Sequence, residues 1–170
     1  GHVSPTTAQA VQEELGEYLD STDLILDGGP SSVGVESTII DCTSGAPRIL
    51  RPGAITDEMI EISTRLKVST AVSDIRVSGS LENHYSPAAT VSLNRIPESG
   101  EGFIALSEQQ TPTGVIRLAS PNSVEEFARL MYSALRDADA KGVKSVVVIE
   151  PIGDGLALAI RDRLMRASKG

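Results

Sequence analysis

The 170-residue sequence predicts an α/β chain in three parts: an incomplete α/β piece over 1–53, a connecting stretch over 54–89, and a small parallel-sheet domain over 90–170. Three observations predict it. In the last part, short β-branched runs alternate with helical spacings, the order that yields a parallel sheet covered by helices. The first part offers one helix and only a few strand runs, too few to close a sheet. Between them lies a polar stretch that ends in Ser78-Gly79-Ser80 and breaks any periodicity.

The first helix is expected over 7–19, with Thr6 and Gln9 at capping-box spacing and Ala8, Val11 and Leu15 on one stripe. Residues 24–26 read as a buried strand closed by a turn at Asp27-Gly28-Gly29. The segment GGPSSVG fits no established phosphate-binding pattern, so its glycines are read as that turn. Residues 37–41 are β-branched and bounded by Gly34 and Ser44-Gly45, while 47–51 stop at Pro52-Gly53. The two runs read as a hairpin. Arg51 therefore ends a strand, where a guanidinium can project into a cleft and hold a phosphate or carboxylate through paired hydrogen bonds. Arg48, the other cation of this piece, reads equally well as a solvated strand residue.

The connection carries a helix near 57–66, with Thr56 at its cap. In the last part, strands are expected over 90–93, 103–106 and 114–118. Ser123 and Glu126 then open a long helix whose Val124, Phe127, Leu130, Met131, Ala134, Leu135 and Ala138 keep helical spacing up to the stop at Lys141-Gly142. Residues 146–149 are wholly apolar and β-branched, as in the middle of a parallel sheet. Gly153-Asp154-Gly155 turns into a final helix carrying Leu156, Ile160 and Leu164, completing a Rossmann-like order. It is no dinucleotide fingerprint, because Leu158 stands where the third glycine belongs. Arg161, Arg163 and Arg166 form either a modest basic face or solvated charges interleaved with Asp162.

Apolar residues make up 40% of the chain and charged ones 22%, with no run of membrane-spanning length and no visible signal peptide, which fits a soluble cytoplasmic protein. The single Cys42 excludes an internal disulfide framework and a cysteine-based zinc site, and is expected to be a small buried hydrophobe. With only two histidines, far apart, no metal constellation is legible. Aromatics at 3%, without tryptophan, give no stacking platform for bases. A formal charge of -8 and a pI near 4.7 oppose general binding to nucleic acid or anionic membrane. The anionic excess lies in residues 1–57, where nine acids face only Arg48 and Arg51, so any charged side chain of that piece that meets a phosphate must be one of these two.

The tract GVESTIIDCTSGAPRILRPG over 34–53, with SPTT over 4–7 before it and HYSP over 84–87 after it, resembles the threonylcarbamoyl-AMP synthases of the YrdC-type superfamily. In that family an SPTT segment opens a helix, the GVESTIID and ILRPGA strands follow, and an HYAP motif marks a linker into a second domain. The closing Ile149-Glu150-Pro151 and GLALAIRDRLMRA over 155–167 extend the resemblance over nearly the whole chain. The resemblance implies that residues 1–53 are the C-terminal part of a YrdC-type catalytic domain, 54–89 the interdomain linker and 90–170 the Rossmann-like C-terminal domain. It also implies a missing N-terminal catalytic portion, which in the family carries a lysine and arginine motif for ATP and a Ser-Ala-Asn motif.

Carried over by position, the resemblance implies that Thr6 and Tyr85 contact the nucleotide, Arg51 the ATP phosphates and Ser37 the threonine substrate. The implied reaction consumes threonine, bicarbonate and ATP, with Mg²⁺ expected alongside the nucleotide and no catalytic protein nucleophile. Its product passes to a tRNA-modifying complex. On this reading the 170-residue chain is inactive by itself. Two other readings stay open: a non-catalytic module acting as a lid, ligand sensor or dimerisation surface, and a structural fragment whose half-sheet pairs with a second copy in a homodimer.

Overall fold

The computed structural model describes residues 2–70, 75, 77, 78 and 87–169. It is a mixed α/β structure built around a four-stranded parallel sheet. Helix α1 (Ala8–Leu15) continues into a 3-10 turn at Gly16–Tyr18. Its cap is Thr7 rather than Thr6: the Thr7 hydroxyl accepts from the Ala10 amide at 3.1 Å, and Thr7 is the extended residue just before the helix. Gln9 donates instead to Glu13 one turn on. Strands β1 (Ile39–Asp41) and β2 (Arg48–Arg51) pair antiparallel as the expected hairpin. The Asp41 carboxylate shapes its turn, accepting from the Thr43 amide at 2.9 Å and hydroxyl at 2.6 Å and from Arg48 at 2.5 Å. Arg48 is thus committed to an ion pair instead of being solvated, and Cys42, on that turn, is exposed instead of buried.

Residues 24–26 form no strand. Leu24 and Leu26 are 85% and 88% exposed, and no described strand lies alongside to accept their ladder, so apolar content alone does not make a sheet there. Helix α2 (Asp57–Thr64) begins at its expected cap, Thr56, whose hydroxyl accepts from the Met59 amide.

The parallel sheet contains β3 (Thr90–Leu93), β4 (Gly102–Ile104), β5 (Ile116–Ala119) and β6 (Ser145–Val148) in the spatial order β3-β6-β4-β5. The apolar β6 is central, paired with β3 on one side and β4 on the other. Helices α3 (Val124–Ala140) and α4 (Leu156–Ala167) cover one face, where Phe127, Met131, Leu135, Ile160 and Leu164 pack on Ile104, Val146 and Val148. The opposite face carries a smaller cluster of Phe103, Ala105 and Val147, with the Arg117 guanidinium 4.8 Å from the centre of the Phe103 ring.

The first piece lies on the outer side of α3 and α4, so these helices are buried on two faces. Val3 and Val35 join the main core cluster. Along α3, Ala128, Tyr132 and Arg136 fall at i, i+4 and i+8 and form a second packed stripe, the first two buried and Arg136 partly so. Ala128 meets Gly34, Tyr132 donates to Glu36, and Arg136 donates to Glu14 and to the Val3 carbonyl. The chain leading into β3 is fixed to the same helix, since Asp139 accepts from the Ala88 and Ala89 amides, each at 3.0 Å.

Gly34 has a φ of +84°, and a Cβ there would lie 2.2 Å from the Ala128 carbonyl oxygen. Gly34→Ala is therefore expected to cost about 3 kcal/mol through backbone strain and overpacking. Denaturant unfolding monitored by circular dichroism checks this; an unchanged midpoint would remove Gly34 as the close-approach point between the two parts.

Candidate active site

The hairpin, the segment before it and the segment after it enclose a cleft of about 410 Å³ lined by Ser31, Glu36, Ser37, Thr38, Ile40 and Ile55, among others. Its wall is set by a β-bulge. Ile39 pairs with Arg51 but Ile40 with Ile49, so Leu50 is the extra residue on β2. The bulge turns Arg51 toward Ser37. Arg51 is 8% exposed and donates through Nε and Nη2 to the Ser37 carbonyl at 3.1 and 2.8 Å, through Nη2 to the Ser37 hydroxyl at 3.3 Å, and through Nη1 to the Ser78 carbonyl at 3.0 Å. A guanidinium has five N–H groups, so one Nη1 hydrogen has no acceptor among the described residues.

Two further contacts fix the same stretch of chain. The Thr38 hydroxyl donates to the Ile55 carbonyl at 2.7 Å. Gly53 lies flat against the Glu36–Thr38 backbone, since a Cβ on it would come 2.4 Å from the Thr38 amide nitrogen. Any larger residue at 53 would have to displace that backbone, whose residues line the cleft.

Glu36 carries the electrostatics. Its carboxylate accepts from the Ser4 hydroxyl, from the Tyr132 hydroxyl at 3.1 and 3.0 Å, and from Arg163 Nε at 2.8 Å. Arg163 is fully buried, with its Nη1 on Asp162 at 2.7 Å, and Asp162 also holds Arg166. The three arginines of α4 are therefore no shared basic face. Arg163 points inward to Glu36, and Arg161 donates to the Pro151 carbonyl. Burial pushes the Glu36 carboxyl up, yet the hydrogen bonds from Arg163 and Ser4, together with the nearby charge, outweigh it and hold the group below its ordinary value.

The structure brings Ser37 and Arg51 into direct contact and ties Thr6 to Ser31 of the cleft lining, the Thr6 carbonyl accepting from the Ser31 amide at 2.8 Å. Tyr85 and His84 lie outside the described residues. Sequence reasoning missed Ser4, Glu36, Tyr132 and Arg163. Glu36 had a legible signal, being a lone carboxylate that leads into an apolar run. Tyr132 and Arg163 had none, because they lie 96 and 127 residues from the group they bind. Among the described residues, no three His, Cys, Asp or Glu side chains stand together as a metal site. No described helix is long and apolar enough to cross a membrane.

Comparison with known proteins bears on this arrangement. The family model described as "Threonylcarbamoyl-AMP synthase, C-terminal domain" matches residues 55–169, and one described as "Telomere recombination" matches 1–53. The threonylcarbamoyl-AMP synthase of Pyrococcus abyssi is 34% identical across 99% of this chain. The chain belongs to the threonylcarbamoyl-AMP synthase family. The Bacillus subtilis and Schizosaccharomyces pombe synthases are 31% and 33% identical over 100% and 97% of it. The crystal structure of P. abyssi Sua5 complexed with L-threonine superposes with a TM-score of 0.77 at 31% identity, covering 99% of this chain and 55% of that one. The chain spans about half the length of these curated relatives, namely 55%, 55% and 49%.

The lowered Glu36 carboxyl has a consequence for stability. Because its folded value lies below its unfolded one, its contribution is complete above the usual carboxylate range and is lost as pH falls through the folded value. Acid titration of unfolding free energy is expected to fall below that range, and Glu36→Gln to flatten part of the fall. An identical acid profile in Glu36→Gln would show that Glu36 does not carry it.

Proposed function

We propose that this chain contributes one wall of the active site of an L-threonylcarbamoyladenylate synthase. The single observation that carries the reading is the hydrogen-bonded contact of the buried Arg51 with Ser37, which lines the cleft; these are the two residues expected to meet ATP phosphate and threonine. The relative from P. abyssi that matches over 99% of the chain was crystallised with L-threonine, which supports assigning an amino-acid subsite to this region. Thr6 and Tyr85 are read as nucleotide contacts.

In the proposed reaction the threonine amine combines with bicarbonate, releasing water, to give a carbamate. A carbamate oxygen then attacks the α-phosphorus of ATP; the bond to the β-phosphate oxygen breaks and pyrophosphate leaves with the electron pair. No protein nucleophile is needed. The residues act by alignment and by hydrogen bonds to developing charge. Ser37 orients the amino acid through its hydroxyl, while Arg51 fixes the Ser37 peptide and, among the described residues, keeps one Nη1 hydrogen for a phosphate oxygen. Mg²⁺ is expected with the nucleotide, but the Glu36 carboxylate in this cleft already has its acceptors filled by Ser4, Tyr132 and Arg163, so no step is assigned to a metal held by these residues.

The same inventory underlies a second part of the proposal, that the 170-residue chain does not catalyse the reaction alone. In residues 1–57 the only cations are Arg48, committed to Asp41, and Arg51, committed mainly to carbonyl oxygens, which leaves too little positive charge for a triphosphate. The remaining phosphate contacts would come from the portion of the relatives that this chain does not match. The product would be handed to a tRNA-modifying complex in the cytoplasm, and the acidic character of the first part fits a supplier better than a direct tRNA binder.

The test is ATP–pyrophosphate exchange dependent on both threonine and bicarbonate, run on the 170-residue chain and on a longer form carrying the unmatched portion. Exchange is expected only from the longer form and is expected to drop about a hundredfold or more in Arg51→Ala, as for other losses of a transition-state donor. Exchange by the short chain would overturn its proposed inactivity. Threonine-independent exchange by the longer form would overturn the synthase reading.

A further inference from the structure

We propose that Tyr132 and Arg163, both in the C-terminal domain, are positioning residues of the threonine pocket, acting through Glu36 on Ser37. The inference rests on the reading of the cleft as a threonine site and adds to it a role for the parallel-sheet domain.

Ser37 is held from both sides. Its own carbonyl is fixed by Arg51, and the residue before it is fixed by α3 and α4. Tyr132 reaches both Glu36 oxygens, Arg163 binds one of them, and Arg163 Nη2 also lies 3.5 Å from the Glu36 carbonyl, so the latch holds the backbone that leads into Ser37 as well as the side chain. Glu36 is not remote from the cleft; it lines it, next to Ser37 and Thr38. Tyr132 is 1% exposed and Arg163 0%, so neither can leave the carboxylate for water without opening the seam between the two parts. Ser4, in the segment that leads to Thr6, binds the same carboxylate. One half-buried anion therefore gathers the nucleotide-side segment, the threonine-side segment and both helices of the second domain. A rigid Ser37 hydroxyl binds an amino acid at lower ordering cost than a mobile one.

The mild variants are Tyr132→Phe, which keeps the ring and removes the hydroxyl, and Glu36→Gln, which keeps the shape and removes the charge. Two readouts are taken: NMR amide order parameters at Ser37 and Thr38 on the 170-residue chain, and the affinity for L-threonine by titration on the longer form carrying the unmatched portion. Both variants are expected to stay folded, with β6 amides unchanged, while the order parameters at Ser37 and Thr38 fall from about 0.85 toward 0.6 and threonine binds about tenfold more weakly. Unchanged order parameters at Ser37 and Thr38 in both variants would overturn the positioning role, as would unchanged threonine affinity despite loosened residues. A wild-type longer form that gives no threonine response at all would instead sink the threonine reading of the cleft, and the order parameters would then decide the coupling between domain and cleft by themselves.

Discussion

A carboxylate half withdrawn from water must be given donors, and Glu36 is the point at which this molecule meets that demand. Desolvating an ion costs several kcal/mol unless its lone pairs are satisfied and an opposite charge is close. Here the donors come from three regions of the chain: Ser4, Tyr132 and Arg163. None of the three is adjacent to Glu36 in sequence, so the requirement is met only when the first piece and the parallel-sheet domain are docked. Arg163 has the same need, being fully buried and balanced by both Glu36 and Asp162. Such a pair adds little net stability beside an apolar replacement, but breaking one half leaves an uncompensated charge. It therefore specifies the docked arrangement more than it strengthens the fold.

The docking also explains the unusual surface of α3. A helix on one face of a sheet needs one apolar stripe, and α3 has it in Phe127, Leu130, Met131, Ala134, Leu135 and Ala138. Its second stripe, Ala128, Tyr132 and Arg136, differs in character at each step. A small residue admits the Gly34 backbone, an aromatic hydroxyl reaches a carboxylate, and a guanidinium serves Glu14 and the Val3 carbonyl. Each position is matched to a different partner, which sets the register between the two parts.

Within the first piece the bulge at Leu50 has a corresponding role on a smaller scale. A regular hairpin would leave Arg51 in line with the strand; the extra residue swings it onto Ser37. Gly53 then permits the returning chain to lie flat on the Glu36–Thr38 backbone. The wall of the cleft is thus held by a guanidinium, a glycine contact and the Glu36 latch, three restraints on three consecutive residues.

What the sequence determined by itself is everything that depends on neighbours along the chain. Periodicity and caps located α2, α3 and α4 at Thr56, Ser123 and the Gly155 turn, the apolar β6 run named the central strand, and turn residues named the hairpin with Arg51 at its end. The family was legible too, because its motifs are contiguous. Tertiary structure alone decided the fate of groups whose partners are distant. Leu24 and Leu26 had strand character but no adjoining strand among the described residues, so they are exposed; Arg163 read as a solvated charge but lies buried against a carboxylate 127 residues away. Helix and turn formation is governed by interactions within a few residues, whereas burial of a charge or completion of a sheet edge depends on what the rest of the chain brings alongside.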